Sequence, residues 1–301
     1  MRKKFILFIC SLTFCLVTSE LFFNLYTDFS TSFGNETLIN RRWFTNYWKP
    51  INNLGYRDYD IHDTPHKDNV IVSGDSFVAG HGVKNIKHRF SNTILDPILK
   101  ENYETFVVAK CGWDLNDSLE SIKKYPIKPN ILIQSVFVND ICNISSDYGI
   151  DVPVFETPSP ITQILLSKSY SLSYAYLKLK LVTMYGAYGS FMKQAYTNKT
   201  ILSQFQKQIE NISLHSKLHH YDLIFLLWPN LKDLNDLNGI HAANKVILNN
   251  YNYIDTLPVL KGIENDLLFA SELDAHPSDH VHGIIGKLIR EYLIKNGFVH
   301  Y

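Results

Sequence analysis

The sequence predicts an α/β protein whose parallel sheet is covered by helices on both faces, with an apolar helix at its N-terminus. Three observations carry this prediction. Short, β-branched apolar runs recur along the chain, helix-spaced apolar stripes separate them, and a long apolar stretch follows Arg2-Lys3-Lys4. Strands that are apolar throughout and alternate with helices belong to parallel sheets buried on both sides.

The elements follow in order. "FILFICSLTFCLVTSELFFNLY" (5–26) is long enough to span a bilayer, and its positive flank fits a signal anchor or a signal peptide over 1–26. Either way the basic end stays inside and the rest crosses. Residues 27–68 show no sustained period and read as a tether and lead-in. "NVIVSG" (69–74) is the first strand, closed by glycine. Phe90, Ile94, Leu95, Ile98 and Leu99 have helical spacing, with Pro97 kinking or starting the last turn. "TFVVA" (105–109) is the second strand, and Leu115, Leu119 and Ile122 mark a helix. "NILIQSVF" (130–137) is the third strand. A tyrosine-rich helical insertion at about 151–200 breaks the rhythm. Leu202, Phe205, Ile209 and Ile212 then lie on one helix face, before strands at 222–229 and 252–256. The last helix carries Val281, Ile284, Ile285, Leu288, Ile289 and Tyr292 as one stripe, with start signals in Pro277-Ser278-Asp279. The domain so defined covers 69–301.

Composition narrows the function. The formal net charge is zero and the basic residues are scattered, which argues against nucleic acid as a partner. Cys111 and Cys142 lie outside the apolar run; they can pair in an oxidising compartment or stay as small buried hydrophobes.

In open α/β sheets ligands bind beyond the carboxyl ends of the strands, and the chemistry-bearing residues fall there. Ser76 follows the first strand in Gly74-Asp75-Ser76-Phe77. A serine nucleophile needs a base, and the base needs an orienting group. "ELDAHPSDHVHG" (272–283) offers His276 in the loop before the last helix and Asp274 two residues earlier. An oxyanion needs donors, which the Gly112 backbone and the Asn139 side chain can supply after the second and third strands. His81 beside the nucleophile loop reads either as a contact to substrate or as an ordinary loop residue. His276, His280 and His282 invite a metal reading, but only two of them have helical spacing and Pro277 intervenes, so no metal is expected.

Taken in the order Ser, Gly, Asn, His, these residues resemble the SGNH/GDSL hydrolases, named for them. The blocks here are Gly74-Asp75-Ser76-Phe77, then Gly112, then Asn139-Asp140, then Asp274-Ala275-His276-Pro277-Ser278. "NNLGYRDYD" (52–60) is similar to the Asn-x-x-Gly-aromatic-Arg lead-in of membrane-tethered bacterial members, and the resemblance runs over about 50–296. It implies a flavodoxin-like three-layer α/β/α sandwich, Ser76 as nucleophile, His276 as base and Asp274 as its orienter. It further implies an oxyanion hole from the Ser76 and Gly112 N–H groups and the Asn139 amide, with no cofactor. Three positions depart from the pattern. Phe77 replaces leucine, Phe137 stands where block three usually opens with glycine, and Asp274 and His276 are two rather than three apart.

The expected function is a serine-dependent ester hydrolase, an esterase or deacetylase, acting through an acyl-serine on acylated envelope carbohydrate or lipid. The alternatives are an O-acetyltransferase of a surface polysaccharide working with a membrane partner in polysaccharide assembly, and a catalytically silent scaffold. The N-terminal segment implies an extracytoplasmic location, periplasmic or at the cell surface, anchored to the inner membrane through the helix.

Overall fold

A computed structural model describes residues 2–32, 37–61, 66–154 and 157–301. The chain opens with α1 (Arg2–Tyr26) and α2 (Leu38–Tyr47). The main sheet holds β1 (Asp68–Gly74), β2 (Tyr103–Ala109), β3 (Ile131–Val136), β4 (Asp222–Leu227) and β5 (Tyr253–Asp255). All pairings are parallel, in the order β2-β1-β3-β4-β5. Between β1 and β2 come three short helices: α3 (Ser76–Ala79), α4 (Phe90–Thr93) and α5 (Leu99–Asn102). The later helices up to β4 are α6 (Leu115–Lys124), α7 (Cys142–Asp147), α8 (Pro160–Leu166), α9 (Tyr170–Thr197) and α10 (Lys199–His219). Next are α11 (Ile240–Leu248), α12 (Leu257–Leu260) and α13 (Asn265–Leu268). A small antiparallel hairpin, β6 (Phe269–Ser271) and β7 (Asp274–Pro277), leads into α14 (Asp279–Lys295).

Strand alternation divides the core in two. Val70 and Val72 of β1 join Val107, Ile133, Leu226 and the α14 stripe of Val281, Ile285 and Ile289 on one face. Ile71 points the other way, to Phe106, Leu132, Phe225 and the α6 and α10 residues Leu119, Phe205 and Ile209. The result is the expected three-layer sandwich. Burying each such side chain is worth roughly 1.5–3 kcal/mol.

Two expectations are corrected. The stripe at 90–99 is not one helix. Asp96 accepts from the Ile98 and Leu99 N–H groups and turns the chain at Pro97, so α4 and α5 stay separate while Phe90, Ile94, Leu95 and Leu99 still reach one core. The stretch 27–68 is more than a tether. Ile39 and Trp43 of α2 are buried, and Arg57 is almost wholly enclosed. Its guanidinium donates to the carbonyls of Gly80, Val83 (2.6 Å) and Tyr47 (2.7 Å) and lies over the Trp48 ring. Beside it Arg89 donates to the Arg57 carbonyl and to Asp58 Oδ1 at 3.0 Å, while Asp58 Oδ2 accepts from the Val107 N–H of β2. The Asn-x-x-Gly-aromatic-Arg stretch thus clamps the loop that follows Ser76 to the sheet edge.

Candidate active site

Ser76 begins α3 at the carboxyl end of β1, where Asp75 caps the turn by accepting from the Phe77 N–H at 3.0 Å. Gly74 is required just before it. A Cβ there would lie 2.6 Å from Ser135 Cβ on β3 and 2.7 Å from Val78 Cγ2. That close approach presses the serine turn against the sheet.

Ser76 Oγ lies 2.9 Å from His276 Nε2, and His276 Nδ1 lies 2.5 Å from Asp274 Oδ1. The two partners come from β7, not from a loop. Residues two apart on a strand share a face, so the shortened Asp-x-His spacing still places carboxylate beside imidazole. Asp274 Oδ1 also accepts from the His276 N–H (3.1 Å) and from Ser32 Oγ (3.2 Å). Burial alone would raise the Asp274 carboxyl, but His276, His81 and the hydrogen bonds hold it far below the usual carboxylate range. Burial opposes charge on His276 as well. The Asp274 charge and hydrogen bond, with Asp75 adding to them, outweigh it and raise the imidazole above an ordinary histidine.

His81 is the residue sequence reasoning misplaced. It does not line the cavity; it packs behind the base. Its ring lies 4.3 Å from the His276 ring, with Trp43 stacked at 5.0 Å on it. Burial, reinforced by the nearby His276, pushes the imidazole down to about 4, so it is neutral near pH 7. Its Nε2–H donates to the Thr31 carbonyl at 2.9 Å, which leaves Nδ1 as the acceptor facing Cys111 Sγ at 3.8 Å. Cys111 is exposed as a residue, yet its thiol points inward, and burial together with Asp75 and Asp274 pushes it up to about 12. The same His81 Nε2 is 3.5 Å from Asp274 Oδ2. Ser32 therefore holds the carboxylate by a hydrogen bond, while His81, itself held by the Thr31 carbonyl, packs behind it and leaves Asp274 Oδ2 without a hydrogen bond. Ser32 carried no signal in the sequence, because its partner lies 242 residues away.

Asn139 stands in a short 3-10 turn, Val138–Ile141, after β3. Its Nδ2 donates to Asp75 Oδ2 at 3.2 Å, which orients the amide while a second hydrogen remains on that nitrogen. Asp140 accepts from the Phe137 N–H at 2.7 Å and holds the turn. Gly112 has φ +81° in the turn after β2, so glycine suits the place, but it is exposed and does not line the cavity.

Ser76, Asn139 and His276 meet at a cavity of about 370 Å³. Its walls are apolar: Phe77 and Phe137, with ring centroids 4.2 Å apart, and Met184, Tyr188 and Met192 from α9. Lys232 stands at its edge over the Tyr185 ring, its ammonium pushed down to about 8 by burial. The 151–200 insertion thus supplies one wall. Phe137 narrows the space with its ring, where glycine would leave it open.

For metal, His81, Asp274 and His276 have ligand atoms within 4.8 Å of one another. His81 Nε2 already bonds Thr31 and both His276 nitrogens bond Asp274 and Ser76, so only the buried Asp274 Oδ2 is left without a hydrogen bond. His276, His280 and His282 do not converge. His282 is buried against Phe90 and accepts from the Phe90 N–H at 3.2 Å, while His280 is exposed.

No protein-family model matches the chain, and no curated protein matches it. Solved structures do resemble it. A protein described as a lipolytic member of the G-D-S-L family from Desulfitobacterium hafniense is 14% identical with TM-score 0.47, covering 75% of this chain and 99% of that one. The lipase Lip_vut3 from a goat rumen metagenome is 16% identical with TM-score 0.48, covering 74% and 96%. A variant of the acetyl xylan esterase Axe2 from Geobacillus stearothermophilus is 16% identical with TM-score 0.44, covering 78% and 96%.

Proposed function

We propose that this chain is a serine ester hydrolase of the SGNH/GDSL type that works through an acyl-serine. The observation that carries the reading is the unbroken run Ser76–His276–Asp274 at the mouth of an apolar cavity. Ser76 Oγ attacks the ester carbonyl while His276 Nε2 takes its proton. Asp274 holds the imidazole in the tautomer with Nδ1 protonated and offsets the imidazolium that forms. The Ser76 N–H and the free hydrogen of Asn139 Nδ2 supply donors to the oxyanion. The base then hands its proton to the leaving alcohol, and water repeats the sequence on the acyl-enzyme. Phe77, Phe137 and the α9 methionines suit a short acyl group, because a 370 Å³ space lies at the small end of ligand pockets.

The substrate class we infer is an acyl ester of envelope carbohydrate or lipid. The N-terminal helix α1 supports it: it is 25 residues long, an 18-residue stretch of it has mean hydropathy 2.1, and no residue in it is buried. The test is turnover of p-nitrophenyl acetate by the full chain in detergent. Activity that vanishes in Ser76→Ala supports the reading; full activity in that variant overturns it.

A further inference from the structure

α1 does not simply trail from the domain. Its last turns dock on α9 through a set of bonds. The Glu20 carboxylate accepts from the Tyr170 N–H (2.5 Å) and the Ser171 N–H (3.2 Å), and from the hydroxyls of Ser169 (2.8 Å) and Ser171 (2.9 Å). Phe23 packs on Tyr174 with centroids 4.7 Å apart, and Arg42 of α2 holds the Asn24 carbonyl and side chain. Glu20 meets residues 169–171 and Phe23 meets residue 174, so α9 leaves this junction in the same direction as α1.

These contacts set a depth. A hydrocarbon core of about 30 Å takes about 20 helical residues. Counted from Phe5, the first apolar residue after the basic flank, it ends near Asn24. Glu20 and the α8–α9 corner bonded to it then sit about 6 Å inside that boundary. A carboxylate at that depth is costly unless protein donors satisfy it, and here four do. The corner itself exposes apolar side chains: Ile161 is 74% exposed, Ile164 63%, Leu165 53% and Leu172 48%. Positions 161, 164 and 165 share one face of α8. Lys168 stands exposed beside them.

We propose that the α8–α9 corner is a lipid-docking element: Ile161, Ile164, Leu165 and Leu172 enter the bilayer beside α1 and seat the domain on the membrane. The proposal rests on the membrane-anchored reading of α1 and adds to it a height. From Tyr170 to Tyr185 at the cavity is 15 residues, about 22 Å along α9. The depth of about 6 Å and the polar headgroup layer of about 5–8 Å together take about 11–14 Å of that. The catalytic serine is thereby held clear of the headgroups, and the ester it receives is one that projects from the membrane, on a carbohydrate, rather than the glycerol ester of a bilayer lipid.

The test uses the full chain in phosphatidylethanolamine–phosphatidylglycerol liposomes with or without brominated acyl chains, which quench nearby tryptophan. Tryptophan is added singly as Ile164→Trp at the corner or Leu218→Trp at the end of α10, which is 74% exposed and stands just before β4. The signal of the native tryptophans is subtracted. The proposal expects the emission added by Ile164→Trp to fall at least twofold in brominated lipid and that added by Leu218→Trp to stay unchanged. Equal, negligible quenching of both overturns it, and does so with the protein in any oligomeric state. Labelling of Ser76 by a fluorophosphonate is read in the same samples. Labelling without quenching sinks the docking alone, whereas quenching without labelling sinks the hydrolase reading and leaves the docking supported. Release of fatty acid from the liposome phospholipids themselves would overturn the inferred height.

Discussion

Asp274→Asn is a small change with a large expected effect, and the reason lies behind the base. The introduced asparagine keeps the shape of the carboxylate but must choose which end carries the amide hydrogens. If its oxygen stays toward His276, Ser32 and the His276 N–H, its NH₂ takes the place of Asp274 Oδ2, a buried atom that accepts no hydrogen bond and lies 3.5 Å from His81 Nε2. His81 Nε2 offers that NH₂ no lone pair, because its hydrogen is donated to the Thr31 carbonyl at 2.9 Å. If the amide flips instead, its NH₂ faces His276 Nδ1, forces that nitrogen to accept, and puts the proton on Nε2, where it cannot take the proton of Ser76. Either way the charge opposite the developing imidazolium is lost. At an effective dielectric of about 20 and a charge separation near 4 Å that charge is worth about 4 kcal/mol, or about 10³-fold in rate. A wrong tautomer brings the loss toward about 10⁴-fold. The assay is kcat/KM on p-nitrophenyl acetate, with the rate of fluorophosphonate labelling as a second readout. An Asp274→Asn enzyme within tenfold of the parent would refute this account of the base.

Other outcomes follow from the same geometry. Asn139→Ala removes an oxyanion donor and should lower kcat on the order of 100-fold with little change in KM, measured by steady-state kinetics. His276 must be neutral to accept a proton and its affinity for protons is raised. The acid limb of kcat/KM should therefore lie above the ordinary histidine value of about 6.5, with activity lost as pH falls through it, and should move down in Asp274→Asn. Arg57→Met strips three carbonyls of a buried charged donor and should cost about 3 kcal/mol or more, seen as a lowered midpoint in urea, with a matching fall in active fraction.

Much of this architecture was legible because the signals were local. β1, β2, β3 and β4 are continuous apolar runs, and α14 is one clean stripe from Val281 to Tyr292. Ser76, Asn139 and His276 were legible because each follows or ends such an element. The 90–99 region misled because a core needs only that Phe90, Ile94, Leu95 and Leu99 arrive, and two short helices around Asp96-Pro97 deliver them as well as one long helix would. The lead-in was illegible for the opposite reason: its period is not its own. Arg57, Trp43 and Ser32 are placed by the nucleophile loop and by β7, far away in sequence. His81 read as a loop residue, with or without a contact to substrate, since nothing local shows that Thr31 and Trp43 enclose it. The short spacing of Asp274 and His276 looked irregular until β7 made them neighbours on one strand face.

The most direct test of the central claim is to treat the full chain with a fluorophosphonate, digest it and find the modified residue by mass spectrometry. The account predicts one adduct, on Ser76, forming at a rate that collapses in His276→Ala. An adduct on another serine, or labelling of Ser76 at an unchanged rate without His276, would contradict it.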